Sequence, residues 1–275
     1  MITLSAFADE IADDLKEQMD VLEKEKIKHI AFRAAWGTNV LKLSEDQLQK
    51  AKDMMDRRGF RASSIGSPIG KVGILDDFTA HLEDFRKIIL AAKLLGTKYI
   101  RIFSFYIPQG EEPAKYRSEV IRRMGEMAKI ADGENVVLLH ENEKDIYGDT
   151  GERCRDILET VRSKNLRVAY DPANFVQIGQ RPFTQCYPLL KSHIEYVHVK
   201  DAKLSDKSIV PAGKGDGEVV EFFRELKKIN YNGFASLEPH LMVAGQRSGF
   251  TGPELFHRAA QALRDILDEV GIGYN

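Results

Sequence analysis

A single (β/α)8 barrel is the fold this chain predicts, on three features. Eight short apolar, β-rich runs recur along 275 residues, longer amphipathic stretches separate them, and glycines stand at several joints between the two. Strands alternating with helices build a parallel sheet, and eight strands can close into a barrel whose own side chains fill it. An open doubly wound sheet is the competing architecture. No Pro/Gly-rich linker interrupts the pattern, so residues 1–275 read as one domain.

The first strand is expected at Ile2–Phe7, followed by a helix near Ala12–Lys24 with Leu15, Met19 and Leu22 on one face. His29–Arg33 and the helical Ser44–Arg58 make the second unit. Arg61–Ile65 comes next, then Asp77–Leu95, where Phe78, Leu82, Phe85, Ile88, Ile89 and Ala92 recur at helical spacing. Tyr99–Phe103 with Ala114–Asp132, and Val136–Glu141 with Thr150–Ser163, form the fourth and fifth units. Val168–Asp171, Tyr196–Lys200 and Phe234–Glu238 complete the strands, with Val219–Ile229 as the helix before the last. Gly59, Gly96, Gly133 and Gly233 precede strands three, four, five and eight. A left-handed residue commonly closes a helix, and glycine adopts that conformation without steric cost.

Composition bounds the function classes. Hydrophobic residues make up 43% and charged ones 30%, with a net charge of -2 and no long run of like charge. That is the profile of a soluble globular protein without a dedicated nucleic-acid or membrane surface. The two cysteines, Cys154 and Cys186, have no CxxC spacing and read as reduced thiols. MITLSAFADEI lacks the basic flank and apolar core of a signal peptide, and no run approaches the roughly 18 apolar residues of a membrane span. The expected location is cytoplasmic.

Four strand ends carry the chemistry: Glu141 in VVLLHEN, Asp171 in VAYDPAN, His198 in YVHVKD and Glu238 in FASLEP. Alternate strand residues share a face. With Glu141 inward, Val137 and Leu139 point into the barrel and Leu138 and His140 toward the helices. The same parity groups Ala169 with Asp171, Tyr196 with His198 and Lys200, and Ser236 with Glu238. Strand-to-helix loops gather at the C-terminal rim, where barrel active sites lie. Three carboxylates brought together there repel, and without a cation at least one must take up a proton. Taken singly, Asp171 before Pro172 reads as a helix cap and His198 as a core histidine. Taken together on four consecutive strands, the set reads as a divalent-metal site. Hard oxygen ligands with one imidazole suit Mn²⁺ or Mg²⁺, with Co²⁺, Fe²⁺ or Zn²⁺ as further candidates.

At these residues the chain resembles the xylose-isomerase-like TIM-barrel superfamily, which includes sugar and sugar-phosphate isomerases and epimerases, inosose dehydratases and the endonuclease IV type of repair enzyme. The likeness covers essentially the whole chain. It rests on HEN at 140–142, DPAN at 171–174, HVKDAK at 198–203, GKGDGE at 213–218 and LEPH at 237–240. The resemblance implies one divalent ion, Mn²⁺ first, held by Glu141, Asp171, His198 and Glu238, with Glu141 and Glu238 as the catalytic acid/base pair. It implies a small-molecule sugar, polyol or keto-sugar substrate and a homodimer or homotetramer. The expected reaction is isomerisation or epimerisation through an enediolate, the cation acting as Lewis acid and the two carboxylates moving the proton. An inosose-type dehydratase would use the same groups but expel a hydroxyl. A three-metal nuclease is disfavoured: RASSIGSPIG on strand three has no histidine, and Asn174 stands where that branch has one.

Lys200, His240, Asn174 and Arg101 are the candidate substrate contacts, the first two ranked ahead. Phe7 and Trp36 are expected to wall the pocket against sugar C–H faces. Ser67–Asp77, Phe105–Pro113 and Val243–Gly252 are the expected specificity loops, the last suggesting mobility through its glycines. GKGDG at 213–217 has the wrong spacing for a dinucleotide loop, GSPIGK for a P-loop, and HENEK is not HExxH.

Overall fold

The computed structural model describes residues 1–241 and 249–275. Eight parallel strands close into a barrel: β1 (Thr3–Ala6), β2 (His29–Phe32), β3 (Arg61–Ile65), β4 (Tyr99–Ile102), β5 (Val137–Glu141), β6 (Leu166–Tyr170), β7 (Ile194–Val199) and β8 (Phe234–Leu237). Consecutive strands are neighbours, and β8 returns to β1 with Thr3 opposite Phe234 and Ser5 opposite Ser236. That closure rules out the doubly wound sheet, which has two free edges. Among the described residues, no helix is long and apolar enough to cross a membrane.

Around the barrel lie α1 (Leu15–Lys24), α2 (Glu45–Arg57), α3 (Phe78–Leu95), α4 (Arg117–Glu134), α5 (Gly151–Val161), the short α6 (Pro172–Gln177) and α7 (Tyr187–Leu190), α8 (Val219–Lys228) and α9 (Gly252–Val270). Local chemistry starts them: Asp14 accepts the Lys16 and Glu17 amides at α1, and Ser44 with Gln47 forms a capping box at α2. On α3, Phe85, Ile88 and Ile89 are buried against the sheet, each contributing about 1.5–3 kcal/mol. The helix after β8, α9, is missing from the sequence-based set, although Phe256, Ala260, Leu263 and Leu267 give it a buried face.

Two of the four glycine expectations need correction. Gly59 and Gly96 do take positive φ, of 71° and 74°. Gly133 instead lies inside α4, and Asn135 (φ 57°) takes the left-handed position. After α8 that position falls to Asn230 (φ 55°) and not to Gly233. Asparagine tolerates this conformation because its short side chain can bond locally.

Strand parity holds. Leu139, Ala169 and Tyr196 pack inside the barrel with Val137, Tyr99 and Phe234, whereas Leu138 belongs to the layer between strands and helices. Beside the inner cluster, Ser5 Oγ lies 2.6 Å from Ser63 Oγ, which is 2.8 Å from the Tyr196 hydroxyl. Beyond β7, residues Asp201–Ala202 pair antiparallel with Ile209–Val210. The buried Asp201 carboxylate accepts the amides of Ala202, Gly213, Gly215 and Gly217 at 2.8–2.9 Å. A Cβ at Gly215 or Gly217 would fall 2.4 or 2.5 Å from Asp201 Oδ1, so both positions require glycine. GKGDG is thus a cradle for the chain's own carboxylate.

Candidate metal centre

Glu141 ends β5, Asp171 follows β6, His198 lies on β7 and Glu238 follows β8. Each is buried, and one ligand atom from each lies within 4.8 Å of all the others. The barrel thus brings together all four residues read from the sequence. Asp171 also caps α6, accepting the Asn174 amide at 3.0 Å through Oδ1. The cap reading and the ligand reading are compatible, because Oδ2 remains turned to the centre, 2.8 Å from Lys200 Nζ.

The ring of groups behind the cluster fixes which atoms face inward. Asn174 Nδ2 donates to Glu141 Oε1 (3.2 Å) and to the Asn142 carbonyl (2.8 Å). Asn142 in turn donates to the Asp171 carbonyl and accepts the Asp171 amide. Arg101 Nη1 lies 3.2 Å from Glu141 Oε2 and 3.4 Å from Glu238 Oε1, while Nη2 donates to the carbonyls of Gly66 and Ser67. His198 Nδ1 sits 3.2 Å from both Glu141 Oε1 and Glu238 Oε2. Lys200 reaches Glu238 Oε2 at 3.8 Å as well as Asp171.

Protonation follows from this crowding. Burial pushes the Asp171 carboxyl up, and Glu141 and Glu238 add to the rise against Lys200, bringing it to about 7. A carboxyl 2.8 Å from an ammonium would otherwise be depressed, so desolvation and like charge win here. Burial disfavours the His198 imidazolium, but Glu141 and Glu238 more than offset that and raise it to about 9. Burial opposes the Glu141 anion, yet His198 and Arg101 hold the carboxyl down at about 2. Glu238 is likewise held well below the usual carboxylate range, with Lys200 and His198 overcoming burial. The crowded carboxylates, with burial at Asp171, thus favour protons on this cluster, on His198 above all, where a bound cation would otherwise supply the positive charge.

Glu141 Oε2, Asp171 Oδ2, Glu238 Oε2 and His198 Nδ1 are buried and held by ion-pair contacts alone, and His198 Nε2 is buried with no hydrogen-bond partner among the described residues. Buried polar atoms are nearly always satisfied. Three carboxylates and an imidazole converging on one buried point fit a divalent ion with oxygen-rich coordination.

A cavity of about 770 Å³ opens above, lined by Arg33, Lys71, Arg101, Lys200 and His240 among others. Lys200, Arg101 and Asn174 thus border it, but their polar atoms already grip Asp171, Glu141 and Glu238. His240, half-buried at φ 47°, faces the cavity, and burial pushes its imidazole down to about 3. Phe7 and Trp36 do not line the cavity. Phe7 is fully buried, its ring 5.1 Å from that of His198, and Trp36 packs against the outer core. Most of the Val243–Gly252 loop falls outside the described residues.

Two site residues escaped the sequence reading. Arg33, directly after β2, donates from Nε to Asp9 (2.7 Å) and from Nη1 to Glu238 Oε1 (2.9 Å), and Nη2 reaches Glu10 Oε1 at 3.4 Å. Glu10, in the loop after β1, accepts the His240 amide and the Thr251 hydroxyl, both at 2.8 Å. Burial pushes the Glu10 carboxyl up to about 8 against the pull of Arg33. Gly66 makes room for this grouping: a Cβ there would lie 2.7 Å from Phe7 and 2.9 Å from Arg33 Cβ. The available signal was position, since Arg33 ends a predicted strand as the four ligand candidates do.

A closed eight-stranded barrel with an acidic-imidazole centre at its C-terminal rim defines a class, and comparison with known proteins names the family. Residues 10–269 match the model of the xylose isomerase-like TIM barrel, and the chain belongs to that family. A D-tagatose 3-epimerase-like protein superposes with a TM-score of 0.79 at 17% identity, covering 98% of both chains. The probable 3-DHS dehydratase AsbF of Bacillus anthracis gives 0.75 at 16%, covering 96% of this chain and 99% of that one. A xylose isomerase-like barrel of Mycobacterium smegmatis, solved in complex with magnesium, gives 0.69 at 17%, covering 97% of each. At such identities these likenesses speak for the fold alone. An uncharacterized protein of Methanocaldococcus jannaschii is 26% identical over 165 residues, 57% of this chain and 56% of its own length.

Proposed function

We propose that this protein is a divalent-metal-dependent isomerase or epimerase of a small sugar, keto-sugar or polyol. One observation carries the reading: the ligand atoms of Glu141, Asp171, His198 and Glu238 converge within 4.8 Å, buried, at the rim of the barrel. The four would hold Mn²⁺, or Mg²⁺ in its place, and such an ion supplies Lewis acidity toward a carbonyl and its neighbouring hydroxyl.

The chain's own groups move the proton. Glu141 and Glu238 come from strands three apart around the barrel and reach the centre from different walls. One can take a proton from the carbon beside the carbonyl and the other return it on the opposite face, which inverts that carbon. One carboxylate doing both jobs would instead shift the carbonyl. Arg101 touches both, and with His198 and Lys200 it faces the carboxylates that must accept a proton. Asn174 fixes Glu141, Lys200 fixes Asp171, and His240 meets substrate from the cavity wall.

The test is incubation with ketoses and keto-inositols in D₂O with Mn²⁺, followed by mass spectrometry. Metal-dependent uptake of one deuteron without loss of mass supports the proposal. Loss of water from the product would reassign the site to a dehydratase. No exchange with any of these substrates would refute the proposed reaction.

A further inference from the structure

A second set of potential ligands adjoins the first. Glu10, Glu238 and His240 place ligand atoms within 4.8 Å of one another, and Glu238 belongs to both sets. The guanidinium of Arg33 stands among them: Nη1 is 2.9 Å from Glu238 Oε1, Nη2 is 3.4 Å from Glu10 Oε1, and Nε is 2.7 Å from Asp9 Oδ2. The His240 ring joins the same group, with Nε2 3.6 Å from Glu10 Oε1.

We propose that Arg33 is a built-in cation occupying a second metal position, and that it holds the centre to one divalent ion per chain. This rests on the first set binding a metal as argued above. A guanidinium is planar, permanently charged and presents donors in a fixed fork, so it can serve several carboxylates at once. Here it serves three carboxyl groups at once, Asp9 and Glu238 at 2.7 and 2.9 Å and Glu10 at 3.4 Å. Its aromatic support comes from Phe7, whose ring centre lies 4.7 Å from the Arg33 guanidinium carbon. The side chain is only 18% exposed, and Nε, Nη1 and Nη2 are all engaged, with Asp9, Glu238 and Glu10.

Geometry assigns Arg33 a second task. By taking Glu238 Oε1 it leaves Oε2 to face His198 and Lys200, so each oxygen of this carboxylate has a separate office. Arg33 is thus a positioning residue. Without it, Glu238 would be free to bridge two cations, with Glu10 and His240 completing the outer one. Carboxylates left together without compensation either protonate or recruit a cation.

The experiment is Mn²⁺ stoichiometry, by equilibrium dialysis with EPR, on the wild-type chain and on Arg33→Ala and Arg33→Met. The Met variant keeps an aliphatic stem against Phe7 and guards against misfolding of the Ala variant; circular dichroism and melting check both. The expected result is one ion for wild type and two for the variants, with a spin-coupled Mn–Mn signal because Glu238 is shared. Adding Glu10→Gln and His240→Ala to Arg33→Met should return the count to one and abolish the coupling. A purely structural Arg33 would shift melting without changing count or signal. Folded variants that still bind one uncoupled ion, or a wild type that binds two, would overturn the proposal. A wild type that binds none would refute the first metal site itself, which separates the two failures.

Discussion

The two halves of the barrel rim do different work. Strands β5 to β8 deliver the four ligand candidates, Glu141, Asp171, His198 and Glu238. The half formed by β1 to β4 delivers Glu10, Arg33 and Arg101, with Gly66 making space between them. One half supplies the ligand atoms together with His198 and Lys200, whose charges hold Glu141 and Glu238 ionised, and the other adds arginine counter-charge that aims those two carboxylates. A reactive centre needs both, because buried carboxylates with no fixed cation near them would take up protons and lose their basicity.

Breaking the ligand half should have the largest effect. Glu141→Gln and Glu238→Gln are each expected to lower deuteron exchange by about 10²–10⁴-fold, the usual contribution of a positioned acid/base. Unchanged exchange in either would remove that residue from the chemistry. Breaking the counter-charge half should cost stability first. Arg101→Met leaves two buried carboxylates short of a partner, a loss of about 3–5 kcal/mol that should appear in thermal melting. Saturating Mn²⁺ should restore part of it. A melting temperature equal to wild type would show that this half is not the counterweight described.

The pH dependence of metal binding sharpens the comparison. His198 must lose its proton to act as a ligand. Its metal-free value of about 9 lies above the ordinary imidazole range, so its stabilising effect holds at low pH and fades as pH rises through 9. Asp171 at about 7 acts in the same direction, favouring the metal-free form until it ionises. Apparent Mn²⁺ affinity should therefore rise about tenfold per pH unit from 7 to 9, more steeply below 7, and level off above 9. Titrations followed by EPR would read this, and a flat profile would exclude His198 as a ligand. The smallest effect is expected outside both halves. Asp201→Asn turns amide hydrogens toward the backbone amides of the glycine cradle, costing about 1–3 kcal/mol in melting, and should leave the metal count unchanged.

The difference between the halves also explains what was legible. Strand positions could be read because apolar runs of period two and helical runs of period 3.6 are set locally. Glu141, Asp171, His198 and Glu238 stood out because charged or imidazole groups at the ends of apolar strands are costly unless they serve one another. Arg33 and Glu10 carried no such mark. An arginine at a strand end and a glutamate in a first loop look like ordinary surface residues until closure of the barrel buries them. Gly133 and Gly233 misled for a related reason: either Gly or Asn can close a helix, and Asn135 and Asn230 stood within three residues of them. Trp36 was drawn toward the pocket by its position after β2, yet the chain turns at residues 34–39 and packs it outward.

The central claim is that Glu141, Asp171, His198 and Glu238 form a metal centre, and counting Mn²⁺ per chain tests it most directly. About one ion is expected in the wild-type protein and none in a folded Asp171→Ala variant. A wild-type protein that stays empty after Mn²⁺ loading, or an Asp171→Ala variant that binds as well as wild type, would contradict the account.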